Sequence, residues 1–313
     1  MRIVFFGSDD FAAVHLEKLL ASGQEVLCCV TAPDKPQGRG MKLSLSPIKQ
    51  IASRRHFPCL QPLSLKEHAT IETLKSYSAD IFVVVAYGRL LTQEVLDIPK
   101  ILCLNVHGSL LPQYRGAAPV NWAILNGEKQ TGVTVQKMAL ALDAGDIVAQ
   151  EVMTIGEGEN AAQLRMRMAV VGAQLLAEVL DGSPSGRFSL ISQDETKVSW
   201  APKLTKDMGL IDWHRPAQSI IHQVHGLQPW PGAYTFCNGK MIKVTQIQMS
   251  TEGKGQHPPG EVVKIDRNGF YVACADKAVL IKELQPEAGK VMPASSFVAG
   301  YKVGTDTTFS NRK

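Results

Sequence analysis

The stretch ILCLNVHGSLLPQYRG, residues 101–116, places two polar side chains at the end of an apolar run. The run begins at Ile101, is interrupted by Asn105, and ends at His107. Because side chains alternate along a β-strand, Asn105 and His107 share one face. In open parallel sheets, ligands bind outside the carboxyl ends of the strands. The stretch therefore predicts an amide and an imidazole that point together into a crevice.

A carboxylate follows the next predicted strand. The loop ALDAGD, residues 141–146, comes shortly after a strand predicted over 132–138, and we expect it at the same edge of the sheet as His107. Asp143 in that loop could orient the imidazole ring. Taken one at a time, these residues have simpler interpretations: His107 as a polar strand end, Asn105 as part of a turn, and Asp143 as a turn residue before a glycine.

The first half of the chain alternates apolar runs with helical patterns, which predicts βαβ units and an α/β fold with a Rossmann-like, doubly wound, mostly parallel sheet. The runs are rich in Val, Ile, Phe and Cys, as strands buried on both faces are. The predicted strands cover residues 2–7, 25–32, 59–61, 80–86, 101–107 and 132–138, with a late edge strand at 151–155. The predicted helices cover residues 11–21, 47–56, 71–77, 119–125 and 160–180.

The last third has a different pattern. Residues 181–205 are rich in Gly, Ser, Pro and polar side chains. We place a linker at 189–205, between a catalytic domain at 1–188 and a C-terminal domain at 206–313. After one short helix pattern, that C-terminal part consists of short strand candidates between turns, two of which carry the Asn-Gly signal of a hairpin. This pattern predicts a small all-β, OB-like barrel.

The bulk composition is that of an ordinary globular protein, with 45% hydrophobic and 20% charged residues. The net charge of +4 comes from the last third, because residues 206–313 contain 13 Lys or Arg and 9 Asp or Glu, whereas residues 1–205 contain 20 of each. That excess is compatible with a polyanion such as RNA, and equally with a slightly basic solvated surface. The six cysteines lack metal or redox spacing, and we expect no leader and no membrane-spanning segment. We predict a cytoplasmic protein with reduced thiols and no metal.

The sequence lacks the motifs of several common classes of functional site. No Gly-x-Ser-x-Gly elbow is present, and the first strand is followed by one glycine where a dinucleotide site has three. The loop DKPQGRGMK, residues 34–42, lacks the spacing of a phosphate-binding P-loop. No Cys has activating neighbours. An Asn, His and Asp without a nucleophile suit a direct transfer, in which an external amine attacks a carbonyl while the polar groups stabilise the oxyanion and move protons.

Three separated elements together resemble the 10-formyltetrahydrofolate-dependent formyltransferase family. They are the Asn-x-His-x-Ser-Leu-Leu-Pro pattern at 105–112, the stretch that continues to residue 138, and the Leu-Asp-x-Gly loop at 142–145. The resemblance implies 10-formyltetrahydrofolate as the formyl donor and a catalytic set of Asn105, His107 and Asp143. It also implies that the folate is bound by Ser109, Leu110, Leu111, Pro112, Tyr87, Gly88 and Leu90.

A second resemblance concerns the acceptor. Residues 31–52 contain GRGMKLSLSPIK, which is similar to the basic loop of family members that formylate an aminoacyl-tRNA. It implies that Arg39, Lys42 and Lys49 contact the tRNA acceptor end, where cations can bind phosphate or stack on an unpaired base. A solvated loop is the simpler interpretation of such a charge run. The implied function is formyl transfer to the α-amino group of methionyl initiator tRNA, and we expect a monomer.

Two other functions fit parts of the pattern. A family member that formylates an amino-sugar nucleotide would keep the catalytic set but would not need Arg39. An RNA-binding protein on a degenerate scaffold is less favoured, because a binder has no evident use for all three polar side chains. Tyr114 and Arg115 are open between loop support and substrate contact, and Trp230 in QPWPG is interpreted as a packing residue.

Overall fold

The structure is a computed structural model that describes residues 1–37, 42–183, 185–251, 253 and 255–311, with only the backbone described for 35–37, 42 and 43. The chain divides into two compact units. The first comprises Met1–Pro119, Gln130–Thr154 and Arg165–Ala201, and the second comprises Val120–Lys129, Ile155–Leu164 and Pro202–Lys313.

The first unit contains eleven of the described strands. They are β1 (Arg2–Gly7), β2 (Glu25–Val30), β3 (Lys35–Gln37), β4 (Lys42–Ser44), β5 (Cys59–Leu60), β6 (Ile81–Val85), β7 (Leu102–His107), β8 (Arg115–Gly116), β9 (Gln130–Lys137), β10 (Ile147–Thr154) and β11 (Trp200–Ala201). Seven of them form one sheet, in the order β10-β9-β7-β6-β1-β2-β5. Strands β3 and β4 form a separate hairpin, and β8 pairs with β11.

Five adjacent strands of this sheet, from β7 to β5, run parallel. Strand β9 runs antiparallel to β7, and β10 runs antiparallel to β9. The predicted mostly parallel, Rossmann-like sheet is therefore confirmed, with two antiparallel strands at one edge. Residues of β1 and β6 such as Phe5, Phe6 and Phe82 are fully buried, as expected for central strands that are covered on both faces.

The described helices up to residue 181 are α1 (Asp10–Ala21), α2 (Pro47–Arg55), α3 (His68–Ser76), α4 (Gln93–Leu96), α5 (Pro119–Leu125) and α6 (Ala161–Asp181). Asp9 caps the amino end of helix α1, because its side chain accepts a hydrogen bond from the backbone N–H of Ala12. Ser46 caps helix α2 in the same way, and Pro47 lies in the first turn. The hairpin of β3 and β4 was not predicted, because two three-residue strands in a polar loop leave no apolar alternation to detect.

The second unit contains an all-β sheet, as predicted. Its strands are β12 (Ala233–Cys237), β13 (Lys240–Met249), β14 (Val262–Asp266), β15 (Gly269–Ala273), β16 (Ala278–Pro286) and β17 (Met292–Pro293), with helices α7 (Ala217–Gly226) and α8 (Ala294–Tyr301). The order is β12-β13-β16-β15-β14, and β17 pairs with β16.

The chain end joins the two edge strands of this second sheet. Ser310 forms a bridge with Phe236 of β12, and Thr308 forms one with Glu261 beside β14. Phe309, which lies between them, stacks on Phe270 in the core with the two ring centroids 5.3 Å apart. The described C-terminal residues thus close the sheet on itself, while the OB-like connectivity stays a prediction.

Two further features concern compartment and membrane. All six cysteines are free thiols, and all but Cys59 are buried. Among the described residues, no helix combines the length and the apolar character that crossing a bilayer requires.

Candidate active site

Strand β7 carries Asn105 and His107 to the carboxyl end of the parallel part of the sheet. In the register of the sheet, Asn105 lies between Val84 of β6 and Gln136 of β9, and His107 lies beside Thr134. Asn105 is half-buried and His107 is 6% exposed. An amide and an imidazole therefore occupy one face at one strand end, between β6 and β9.

Both ring nitrogens of His107 face oxygen atoms of the protein. Nε2 lies 3.0 Å from the carbonyl oxygen of Tyr114, and Nδ1 lies 3.6 Å from Oδ1 of Asp143. Because a carbonyl oxygen can only accept, Nε2 carries a hydrogen in this arrangement. The imidazole ring therefore lies between a carbonyl oxygen and a carboxylate oxygen, which fix its orientation.

The carboxylate of Asp143 is held by two further donors. Its Oδ2 accepts a hydrogen bond of 2.9 Å from the backbone N–H of Gly116, and its Oδ1 accepts one of 3.2 Å from Nε2 of Gln136. The backbone of Asp143 has a φ of 52°, in the left-handed region that Asp tolerates better than most residues. The side chain is 8% exposed, and its contacts with Gly116, Gln136 and His107 fix its position.

The Asp143 loop lies beside His107, as expected, but the direction of β9 does not lead to it. Because β9 is antiparallel to β7, its last residue, Lys137, lies beside Leu104, towards the amino end of β7. The loop then folds back, and Ile147 at the start of β10 is already paired with Gln136. Asp143 reaches the carboxyl end of β7 through this return of the loop and not through the direction of the strand.

Tyr114 and Arg115, whose role the sequence left open, support the loop that faces His107. Tyr114 has a φ of 60°, and its N–H donates to Oγ of Ser199. The guanidinium of Arg115 is 4% exposed and donates to Oε1 of Gln193 and to both carboxylate oxygens of Glu195. This pairing lowers the pKa of the Glu195 carboxyl. The side chain of Arg115 is therefore occupied by protein partners.

The loop predicted to bind folate is tied to the sheet. Ser109 is fully buried, and its hydroxyl donates to the carbonyl of Gln113 at 2.6 Å. Thr134 donates from its hydroxyl to the carbonyl of Ser109 and accepts from the N–H of Leu111. Gln150 donates to the carbonyl of Leu111 at 2.9 Å. The two other predicted residues of this loop are half-buried: Leu110 and Pro112. The Ser109 hydroxyl is thus engaged within the loop itself.

The segment after β6 lies beside this strand end. Tyr87 is 3% exposed, and its ring meets that of Phe6 edge-on with the two centroids 5.5 Å apart. Burial raises the pKa of the Tyr87 hydroxyl. Gly88 has a φ of 77°, which favours glycine, and Leu90 is 78% exposed. Of the three residues predicted here, Leu90 has the side chain that can meet a ligand, whereas Tyr87 packs in the core.

The three predicted tRNA contacts are described to different extents. Arg39 lies outside the described residues, and Lys42 begins β4 with only its backbone described. The Nζ of Lys49 lies 2.5 Å from Oδ2 of Asp34, whose other oxygen accepts a hydrogen bond from Gln61 at 2.8 Å. The hydrogen bond from Lys49 is the main cause that lowers the pKa of the Asp34 carboxyl. Lys49 is therefore paired at the base of the basic loop.

Sequence reasoning missed two glutamines at the site. Gln136 is 1% exposed and holds Asp143; its polar side chain inside the buried run GVTVQKM was a signal that could have been used. Gln193 contacts the same loop, and nothing in its sequence surroundings marks it. Trp230, interpreted as a packing residue, is 52% exposed. Among the residues that the structure describes, no cluster of three or more His, Cys, Asp or Glu side chains could hold a metal ion.

Comparisons with known proteins agree with the fold. The family model described as "Formyl transferase" matches residues 1–180, and the one described as "Formyl transferase, C-terminal domain" matches residues 203–302. The chain is 44% identical to the methionyl-tRNA formyltransferase of Geotalea uraniireducens (strain Rf4), over 97% of this chain and 96% of that protein. The chain belongs to the formyl transferase family.

Solved structures share the fold at lower identity. HypX from Aquifex aeolicus, crystallised in complex with tetrahydrofolic acid, has a TM-score of 0.64 and 20% identity, covering 97% of this chain and 48% of that longer chain. The N-formyltransferase from Helicobacter canadensis, in complex with folinic acid and dTDP-3-aminofucose, has a TM-score of 0.66 and 18% identity, covering 91% and 99%. At these identities the likeness concerns the fold alone.

Proposed function

We propose that the chain transfers a formyl group from 10-formyltetrahydrofolate to the α-amino group of methionyl initiator tRNA. The observation that carries the proposal is the 44% identity over 97% of the chain to a protein named methionyl-tRNA formyltransferase. The site supports it chemically, because Asn105, His107 and Asp143 lie together at one strand end without a nucleophilic residue in the arrangement. The folates in two proteins of the same fold support the donor.

In the proposed step, the neutral amino nitrogen attacks the formyl carbon and the carbonyl oxygen becomes an oxyanion. When this tetrahedral intermediate collapses, the bond between the formyl carbon and N10 of the folate breaks. The proton that the amine loses ends on that folate nitrogen, so no oxidant and no covalent enzyme intermediate is required. The protein supplies donors for the oxyanion and a route for the proton.

His107 can serve as such a donor only if its Nε2–H leaves the Tyr114 carbonyl. The developing oxyanion carries a full charge, and hydrogen bonds to charged acceptors are roughly twice as strong as neutral ones. We infer that the oxyanion displaces the Tyr114 carbonyl from Nε2–H, at present 3.0 Å away. Asp143 faces the other ring nitrogen and orients the ring. Asn105 contributes its side-chain amide as the second donor.

The binding assignments extend this proposal. The folate lies against the loop Ser109, Leu110, Leu111 and Pro112 and against the segment with Tyr87, Gly88 and Leu90. The tRNA acceptor end meets the basic loop through Arg39, Lys42 and Lys49. The backbone bonds that Thr134 and Gln150 make to residues 109–111 support the first assignment, because they fix the loop before a ligand binds.

The remaining expectations belong to the same proposal. We place the catalytic domain at 1–188, the linker at 189–205 and a tRNA-binding C-terminal domain at 206–313, supported by family matches at 1–180 and 203–302. We also propose that the protein is a monomer, works in the cytoplasm and needs no metal. The six free cysteines are compatible with a reducing compartment.

A single-turnover assay tests the function. Purified protein is mixed with 10-formyltetrahydrofolate and, in separate reactions, with methionyl initiator tRNA, methionyl elongator tRNA or a 4-amino-sugar nucleotide. We expect fast formylation of the initiator alone, and a strong loss of that rate in Arg39→Ala. Formylation of the sugar instead would replace the acceptor but keep the catalytic set, and absence of formyl transfer to any of the three would contradict the proposal.

A further inference from the structure

One side chain turns inward from an exposed segment that runs past the active site. Residues 189–192 and 194–197 are all exposed, and Gln193 between them is half-buried. The sequence predicts that this segment belongs to a linker. A single inward-facing residue in such a run indicates that Gln193 has a specific contact to make.

The side-chain amide of Gln193 is fully used. Its Nε2 donates to the carbonyl of Asp143 at 2.8 Å and to the carbonyl of Gly145 at 2.7 Å. Its Oε1 accepts from Nε and Nη2 of Arg115 at 3.1 and 2.8 Å. The orientation of the amide follows from chemistry, because carbonyls only accept and a guanidinium only donates. Gln193 thus joins the Asp143 loop to Arg115.

Arg115 belongs to the segment on the other side of the imidazole. It directly follows Tyr114, whose carbonyl accepts from Nε2 of His107. The backbone of this segment is held in turn by residue 199, since Ser199 accepts from the N–H of Tyr114 through its hydroxyl and from the N–H of Arg115 through its carbonyl. Gln193 and Ser199 therefore contact the two residues, Asp143 and Tyr114, whose oxygen atoms face the ring of His107.

We propose that Gln193 is a positioning residue for the transfer step. It contacts no reacting atom; it fixes the distance between the Asp143 carboxylate and the His107 ring by holding the Asp143 loop against Arg115. This inference rests on the proposed roles of His107 and Asp143. A displacement of a catalytic group by about 1 Å can lower the rate by about 100-fold, so a lost Gln193 contact should be visible in kcat.

The test is a double-mutant cycle with Gln193→Glu and Asp143→Asn. Gln193→Glu keeps the size and the attraction to Arg115 but turns a carboxylate oxygen towards two carbonyls. We expect kcat to fall about 10- to 100-fold with KM values for both substrates nearly unchanged. If Gln193 acts through Asp143, the double variant should be no slower than Asp143→Asn alone. Lys197→Ala, a neighbour whose side chain is 72% exposed, is the matched control and should keep the wild-type rate.

Each outcome is decisive. The positioning role would be overturned by any of three results: a kcat of the double variant reduced by the product of the two single effects, a change in KM alone, or a wild-type kcat in Gln193→Glu. Should Gln193→Glu fail to fold, Gln193→Met removes the hydrogen bonds of the amide at similar side-chain length and enters the same cycle. If Asp143→Asn itself keeps the full rate, the proposed catalytic set is wrong; if Asp143→Asn is slow while Gln193→Glu is fast, only the present inference fails.

Discussion

Nδ1 of His107 lies 3.6 Å from a carboxylate oxygen of Asp143, although Asp143 belongs to a loop that starts near the other end of the sheet. The loop is held there by its own contacts: Gly116 and Gln136 bind the carboxylate, and Gln193 binds the backbone. The ring and the carboxylate are both almost fully buried. The pair is therefore organised before any substrate is bound, as transition-state stabilisation requires.

His107→Ala should lower kcat/KM for formyl transfer by about 100- to 1,000-fold, the range typical for the loss of one donor to an oxyanion. The loss should lie in kcat, because in the proposed step the ring contacts the reacting carbonyl and not the distant parts of the substrates. Single-turnover rates at saturating donor and acceptor measure this directly. His214→Ala, which removes a histidine whose side chain is 74% exposed, is the control. A wild-type rate in His107→Ala would exclude the ring from the chemistry.

Gly145→Ala should disrupt the Asp143 loop. A Cβ at position 145 would lie 1.7 Å from the carbonyl oxygen of Lys137, and the carbonyl of Gly145 is one of the two that Gln193 binds. We expect a loss of about 3 kcal/mol or more in the free energy of unfolding, at the upper end for overpacked sites, and little remaining activity. Urea unfolding and the formylation assay check both.

Gly300 provides the comparison for this substitution. It lies in α8, is exposed, and a Cβ there would meet nothing within 4 Å. Gly300→Ala should leave activity unchanged and raise stability by about 0.5–1 kcal/mol through backbone entropy. Equal effects of the two substitutions would mean that the packing around Gly145 does not restrain the loop.

Much of the fold could be predicted because apolar runs mark buried strands. The run before Asn105 and His107 located the functional strand end, and alternation placed both residues on one face. The direction of β9 could not be predicted, because the apolar pattern of a strand is the same whether it runs parallel or antiparallel to its neighbour. The short helix α5 before β9 does not show that β9 runs antiparallel to β7. Gln193 could not be found either, since its contacts are more than 45 residues away in sequence.

Substitutions at Lys49 and Asp34 should show whether Lys49 contacts the tRNA or supports the basic loop. If Lys49 contacts a phosphate, Lys49→Ala weakens tRNA binding and lowers the slope of log K against log salt by about 0.7–0.9. Asp34→Ala should then strengthen binding, because the carboxylate that now pairs with Nζ of Lys49 is removed. Binding titrations at several salt concentrations, with the exposed Lys66→Ala as control, measure both. Weaker binding in both variants at an unchanged slope would show that the pair supports the loop instead.

His15 should make the first unit less stable in mild acid. It is fully buried on α1, its Nδ1 bonds to the carbonyl of Phe11 at 2.8 Å, and no described residue pairs with its Nε2. Burial lowers the pKa of His15 to about 4 from its ordinary value of 6.5. Between these two pH values the unfolded chain binds a proton that the folded chain does not, so stability falls as pH falls through this window and is unaffected above it.

The shift corresponds to a loss of about 3 kcal/mol when the pH falls from 7 to below 4, at 1.36 kcal/mol per pKa unit. His15→Leu, similar in size, should remove this part of the pH dependence, whereas His68→Leu at the exposed start of α3 should keep it. Urea unfolding at pH 7, 6, 5 and 4.5 gives the slopes. Parallel slopes for the wild type and His15→Leu would mean that His15 is charged in the folded protein, which its burial argues against.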